Sequence, residues 1–217
     1  DMEHDACGVG LVASTEGKKL RKIVEYGIEA LKAVWHRGAV DADGKTGDGA
    51  GIHVEIPYDF FSEKIETKGH KHDDSEICIG MVFLPKEQGA RLACERAIER
   101  AITEEGQVLL GWRTVPVNGT IPMSPRVKEK EPVIRQVFIG RGSDIFVQDA
   151  FERKLMVIRK IASNDVNKLD LKHGREFYFC SLSSRVVLYK GLLLSNQVGA
   201  YFQDLTDQDV KSALALV

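Results

Sequence analysis

The chain predicts an α+β fold with helices packed on antiparallel sheet, and three observations carry that reading. Short apolar or alternating runs bounded by Gly, Pro and polar clusters recur along the 217 residues and read as strands. Longer segments repeat apolar residues at three- and four-residue spacing and read as amphipathic helices. Most strands are joined to another strand directly or through one intervening helix, which suits helices on antiparallel sheet. The count is about seven strands and four or five helices, with no internal repeat, low-complexity tract or clean domain boundary.

Each element follows from its residues. Cys7 to Ser14 is an apolar run bounded by small residues and predicts a buried strand. Leu20, Ile23, Val24, Ile28, Leu31 and Val34 then mark a helix, with Ser14 or Thr15 placed to cap its start and Gly38 to stop it. Residues 38–51 carry five glycines, too many for a regular element, and predict a loop that turns sharply or approaches other backbone closely. Ile52 to Ile56 alternates as a strand and Pro57 ends it; Tyr58 to Ile65 reads as a short helix and residues 66–75 as a polar loop. Glu76 to Leu84 is a second apolar strand. A helix follows with Ala90, Ala93, Cys94, Ala97, Ile98, Ala101 and Ile102 on one face and Gly106 at its end. Val108 to Val117 and Val133 to Ile139 read as strands separated by a Pro-, Lys- and Glu-rich linker. Residues 146–162 predict a helix with Phe151, Leu155, Met156, Ile158 and Ile161 inward. Phe177 to Ser183 and Val186 to Leu194 resemble a hairpin, and Thr206 to Val217 a closing helix with an Ala/Leu stripe.

Composition excludes several classes of function. An apolar fraction of 43%, a charged fraction of 29% and a net charge of −2 give no electrostatic case for nucleic acid or a membrane surface. No apolar run approaches the roughly 18–20 residues that span a bilayer, and the first residues lack the pattern of a secretory signal. The four cysteines, Cys7, Cys78, Cys94 and Cys180, are far apart and form no CxxC. Neither a zinc site, an iron–sulfur cluster nor a disulfide framework is expected from them, and the compartment reads as reducing and cytoplasmic. Burial accounts for three of the four.

The glycine-rich loop does not bind phosphate on this reading. Gly44-Lys45-Thr46 resembles the end of a P-loop, but that motif requires glycine where Ala39 stands, and here the loop leaves a helix and enters a strand. Gly47-Asp48-Gly49-Ala50-Gly51 has the wrong spacing for a dinucleotide fingerprint. His70 and His72 share a hydrophilic loop with no third ligand near them in sequence, so no metal is expected.

Cys7 stands apart. A small buried strand residue is the ordinary role for such a cysteine. A nucleophile instead needs a base, and one solution puts it at the chain terminus, where a free α-amine of pKa near ~8 takes its proton. Cleavage before Cys7 would create that terminus.

Asp5-Ala6-Cys7-Gly8-Val9-Gly10, then Trp35-His36-Arg37-Gly38-Ala39, then the run from Ala42 to Gly51 closely resemble the class II, N-terminal-nucleophile glutamine amidotransferase domain of glutamate synthase large subunits. The resemblance continues through Gly111 to Pro116, Phe151 to Leu155, Phe177 to Arg185 and Tyr189-Lys190-Gly191, in family order. It implies a four-layer αββα sandwich, here truncated at its C-terminus, with residues 1–6 as a propeptide-like leader and residues 7–217 as a partial amidotransferase domain. It implies Cys7 as the catalytic nucleophile, with its own amine as base once the leader is removed, and Arg37 and Gly38 as shapers of the glutamine pocket. Asp48 is assigned a turn-stabilising role. The implied activity is release of ammonia from L-glutamine, for transfer to 2-oxoglutarate in glutamate biosynthesis by the remaining synthase domains of the same polypeptide. FMN and an iron–sulfur cluster would belong to those domains, with a small electron-donating subunit as a further partner. Another class II amidotransferase, or a non-catalytic structural module, are the competing readings.

In the family a His-Ser-Arg-Phe-Ser-Thr segment supplies the arginine for the glutamine α-carboxylate, and a His-Asn-Gly-Glu segment supplies the oxyanion hole. Neither occurs in these 217 residues. Loss of one oxyanion donor costs roughly 10²–10³ in rate. The 217-residue piece on its own is therefore expected to hydrolyse glutamine negligibly; a glutaminase assay on the purified piece checks this, and turnover near that of a complete enzyme would contradict it.

Overall fold

The computed structural model describes residues 7–35, 40, 43–66, 76–171 and 176–217. Two compact units are interleaved along the chain. The first comprises Asp1–Pro57, Pro116–Glu131 and Leu188–Val217; the second comprises Tyr58–Val115 and Pro132–Val187. Each contributes a four-stranded sheet and packed helix, so the class is α+β, consistent with the architecture of N-terminal-nucleophile hydrolases. Among the described residues no helix is long and apolar enough to cross a membrane.

The sheet of the first unit contains β1 (Leu11–Ala13), β2 (Ala50–Glu55), β7 (Val186–Gly191, in this unit from Leu188 on) and β8 (Leu214–Leu216), in the order β1-β8-β2-β7. The last strand in sequence thus lies between the first two, antiparallel to both, with Val12 and Val54 each opposite Ala215. Helix α1 (Arg21–Ala33) packs on this sheet through Ile23, Val24, Gly27 and Leu31. Gly27 is where the two layers come closest: a Cβ there would lie 2.5 Å from the Ala215 Cβ and 3.0 Å from Ile52 Cδ1. The helix start has no side-chain cap. The Ser14 hydroxyl instead accepts from Lys18 N inside a separate turn, and Leu20 forms a backbone bridge with Ser212. Arg21 fastens the segment before β8, donating to the carbonyls of Leu205, Asp207 and Val210 at 2.6–3.3 Å.

The second unit holds β3 (Ile77–Leu84), β4 (Val108–Thr114), β5 (Val133–Gly140) and β6 (Tyr178–Ser183), in the antiparallel order β4-β5-β3-β6. Cys78, Val82 and Leu84 on β3, with Val137 and Ile139 on β5, share one core with α3 (Gln88–Glu104) and α5 (Gln148–Lys168). Cys94, Ala97, Ile98, Ala101 and Ile102 come from α3, and Phe151, Leu155, Ile158, Ala162 and Val166 from α5. Cys94 is fully buried there, as its place on the apolar stripe predicts. Helix α2 (Tyr58–Glu66) places Phe61 against Phe138, with ring centroids 6.1 Å apart. Alternation along β5 puts Phe138 on the opposite face from Val137 and Ile139.

Several expectations need correction. The run from Cys7 to Ser14 is not a buried strand: only Leu11–Ala13 is extended in the sheet, and Leu11 is exposed. Thr206–Val217 is not a helix: a 3-10 turn at Gln203–Thr206 is followed by extended chain and β8. Leu214-Ala215-Leu216 alternates with period two, and burial of Ala215 between β1 and β2 outweighs helix propensity. Strands β6 and β7 are not a hairpin, since β6 pairs with β3 and β7 joins the sheet of β2. The turn between them is held by α5, where the Glu152 carboxylate accepts from Ser184 N (2.5 Å), Ser184 Oγ (2.6 Å) and Ser183 Oγ (3.1 Å). The linker at 118–132 contains a short helix, α4 (Pro125–Lys130), capped by Ser124 with Pro125 in its first turn. Met156 points to solvent rather than inward, at 63% exposure. The expected polar loop at 66–75 lies almost wholly outside the described residues, as does the predicted helix stop at Gly38.

The fit at Gly27 gives a test of the first unit. Gly27→Val should lower stability by roughly 1–3 kcal/mol through overpacking, read as a lower urea midpoint with unchanged slope. An unchanged midpoint would show that the helix does not rest on Ala215.

Candidate active site

A cleft of about 680 Å³ lies wholly within the first unit, with Cys7 among its lining residues. Cys7 is exposed, while Cys78, Cys94 and Cys180 are buried. It sits four residues before β1, on a segment fixed by Gly10, whose N–H and C=O both pair with Val217 at 2.9 and 2.8 Å. A side chain at Gly10 would meet Val217 Cγ2 at 3.1 Å, so glycine lets the two terminal segments of the sheet run close together.

The last turn of α1 supplies Leu31 and Lys32, followed by Val34 and Trp35, and all four line the cleft. Trp35 is 62% exposed and gives an aromatic rim. The glycine-rich loop supplies the next stretch of wall, Gly47 to Gly51. Val40 and Gly47 form a backbone bridge at its neck. Gly44 and Gly49 adopt φ of +63° and +131°, a region that side chains disfavour. Gly47 and Gly51 serve a different need, close approach: a Cβ at Gly47 would lie 2.8 Å from Leu193 O, and one at Gly51 2.9 Å from Tyr189 O.

Asp43, rather than Asp48, braces the turn. Its carboxylate accepts from Lys45 N (2.8 Å), Thr46 N (2.9 Å) and Thr46 Oγ1 (2.7 Å). The Thr46 bond, followed by the Lys45 amide, pulls its pKa below the ordinary carboxylate value. Thr46 Oγ1 also lies 2.9 Å from Ser124 Oγ, linking the loop to the start of α4. Asp48 is left exposed on the cleft wall.

Leu193 to Asn196 completes the lining. The sequence reading had carried strand β7 to Leu194, whereas pairing ends at Gly191 and the chain then turns. Buried Gln197 holds that turn, accepting from Leu194 N at 2.9 Å and donating to Pro122 O at 2.6 Å. Of the predicted site residues, the structure thus brings Cys7 to a cleft beside the glycine-rich loop; Arg37 and Gly38 lie outside the described residues. Lys32 and the 193–196 segment carry no role in the sequence reading, and Trp35 enters it only as the start of the Trp-His-Arg-Gly-Ala run. Only the position of Lys32 and Trp35 at the end of α1, next to the His-Arg-Gly run, hinted at a place near the site.

The chain belongs to the class II glutamine amidotransferases: a family model described as glutamine amidotransferases class-II matches residues 7–217. It is similar to the glutamate synthase (NADPH) large chains of Azospirillum brasilense, 43% identical over 99% of this chain, and of Bacillus subtilis (strain 168), 45% identical over all of it. A ferredoxin-dependent glutamate synthase 2, chloroplastic, of Arabidopsis thaliana is 36% identical over 99% of the chain. The chain spans 13–14% of the length of these relatives and corresponds to their N-terminal part.

The Asp43 brace predicts a pH dependence. A depressed carboxylate pKa stabilises the loop at all pH above the ordinary carboxylate value, and that contribution is lost as pH falls through the lower folded-state value. NMR titration should show the Lys45 and Thr46 amides shifting together with a midpoint below that of an unbraced aspartate. A midpoint at or above the ordinary value would contradict the brace.

Proposed function

We propose that this domain releases ammonia from L-glutamine with Cys7 as nucleophile, as the amidotransferase module of a glutamate synthase. The observation that carries the reading is the position of Cys7: it is the exposed cysteine of the four, it lines the cleft, and the family match begins at that residue. Removal of residues 1–6 would make its amine the chain terminus and the local base. The Cys7 sulfur, its proton taken up by that amine, adds to the carboxamide carbon of glutamine. The amine returns the proton to the leaving nitrogen, the C–N bond breaks and ammonia departs, leaving a γ-glutamyl thioester. Water then adds to the thioester carbonyl, the C–S bond breaks, and glutamate and the thiol are regenerated. Arg37 and Gly38, beside this cysteine by family resemblance, shape the glutamine pocket.

In the complete protein the ammonia would pass to other domains of the same polypeptide and convert 2-oxoglutarate to glutamate, in the cytoplasm. FMN and an iron–sulfur cluster would serve that second reaction, with reducing equivalents from a donor or a small partner subunit. The described cysteines of this domain do not fit such a cluster. Cys78 and Cys94 are packed in the second unit's core, and among the described residues no three metal-ligating side chains come together.

Two measurements on the complete polypeptide test the proposal. N-terminal sequencing of the active protein should return Cys7 as its first residue, and Cys7→Ala should lower glutaminase turnover by at least about 10³-fold while leaving ammonia-dependent synthesis intact. Full glutaminase activity in a protein that retains residues 1–6, or in Cys7→Ala, would overturn it.

A further inference from the structure

The excursion at 116–131 is fastened at both ends to one short stretch of chain. Val117 bridges Phe202, Asn118 N donates to Tyr201 O at 2.8 Å, and the Tyr201 hydroxyl donates to Glu131 Oε1 at 2.5 Å. Between these ends it touches both parts of the cleft wall. Pro122 O accepts from Gln197 Nε2 at 2.6 Å, and the same side chain accepts from Leu194 N at 2.9 Å. Two residues further on, Ser124 Oγ lies 2.9 Å from Thr46 Oγ1, next to Gly47, where the glycine-rich part of the wall begins.

The hydrogen bonds of Ser124 have a direction. Asp43 is held below the ordinary carboxylate pKa by the Thr46 bond first and the Lys45 amide second, so it is ionised and can only accept. A hydroxyl has one proton, and that of Thr46 goes to Asp43 Oδ2 at 2.7 Å. The contact between the two hydroxyls therefore takes its proton from Ser124, whose own oxygen accepts from Val127 N at 3.3 Å. One chain of bonds runs from the first turn of α4 through Ser124 and Thr46 to the Asp43 carboxylate, and each link polarises the next. Ser124 is buried, at 7% exposure, and is not among the residues that line the cleft.

The geometry points to Ser124 as a positioning residue for glutamine hydrolysis, holding the Gly47–Gly51 wall in place through Thr46 and Asp43. This rests on the amidotransferase reading of Cys7. Ser124 touches neither substrate nor sulfur; its effect comes from fixing the loop, where displacements of about 1 Å cost up to roughly 100-fold in rate.

The test separates this role from simple capping of α4, in the complete polypeptide. Ser124→Asp keeps an acceptor for the start of α4 but has no proton to give Thr46, whereas Ser124→Thr keeps both. Ser124→Asp and Ser124→Ala should each lower glutaminase kcat/KM by roughly 10–100-fold, with ammonia-dependent glutamate synthesis intact, and Ser124→Thr should restore most of the loss. Thr46→Val should show a similar loss, and the Ser124→Ala, Thr46→Val double variant should be no worse than Thr46→Val alone, because both residues act in one chain. Full activity in Ser124→Asp, a Ser124→Thr enzyme as impaired as Ser124→Ala, or losses that multiply in the double variant would overturn the assignment while Cys7-dependent hydrolysis stands. Hydrolysis that survives Cys7→Ala removes the parent reading, and this one with it.

Discussion

The backbone of the glycine-rich loop lies against the chain from Tyr189 to Leu193 more closely than side chains permit, and the shape of the cleft depends on that contact. Any Cβ at Gly47 or Gly51 would fall within 3 Å of a carbonyl oxygen in that segment, a separation that requires the backbone to move. Because the loop is seated this way, Gly47 to Gly51 becomes one wall and Leu193 to Asn196 the continuation of it. Cys7 is brought alongside by a separate device, the pairing of Gly10 with Val217. Both arrangements substitute backbone for side chain at the points of closest approach.

A second tier of polar contacts keeps the wall in place. The 116–131 excursion meets it through Ser124 at Thr46 and through Pro122 at Gln197. It is anchored in turn by Tyr201, whose hydroxyl donates to Glu131 Oε1 at 2.5 Å, and by a backbone bridge between Val117 and Phe202. Burial of Tyr201, reinforced by the Glu131 carboxylate, drives its hydroxyl pKa upward, so it remains a neutral donor. Tyr189 and Phe202 stack edge to face with centroids 5.3 Å apart beneath these bonds, and the Tyr189 hydroxyl reaches buried Asp204. Such contacts lie away from the chemistry but set the position of the residues that line it.

Periodicity made the core of the fold legible. Helices α1 and α3 follow their apolar stripes, and strands β3 to β5 follow runs with clear boundaries. Three residues of β8 could not be told from the last turn of a helix, because Leu214-Ala215-Leu216 suits both patterns until two flanking strands claim Ala215. The β6–β7 turn misled for a related reason: its shortness suggests a hairpin, yet a glutamate 31 residues earlier in chain order fastens it. Helix α4 had a readable signal, Ser124 followed by Pro125, hidden within a charged linker. At the site, Cys7 and the glycine-rich loop stood out through motif, whereas the turn-bracing role expected of Asp48 falls to Asp43, which only the hydrogen bonds of the Asp43 carboxylate reveal.

The central claim is that one sulfur of four is chemically poised for an amino-acid amide. Exposure of a maturely processed complete protein to a diazoketone analogue of L-glutamine, followed by peptide mapping, tests this most directly. The account predicts one equivalent of label on Cys7, suppressed by excess L-glutamine, and none on Cys78, Cys94 or Cys180. An unlabelled Cys7, or label spread among the buried cysteines and indifferent to glutamine, would contradict it.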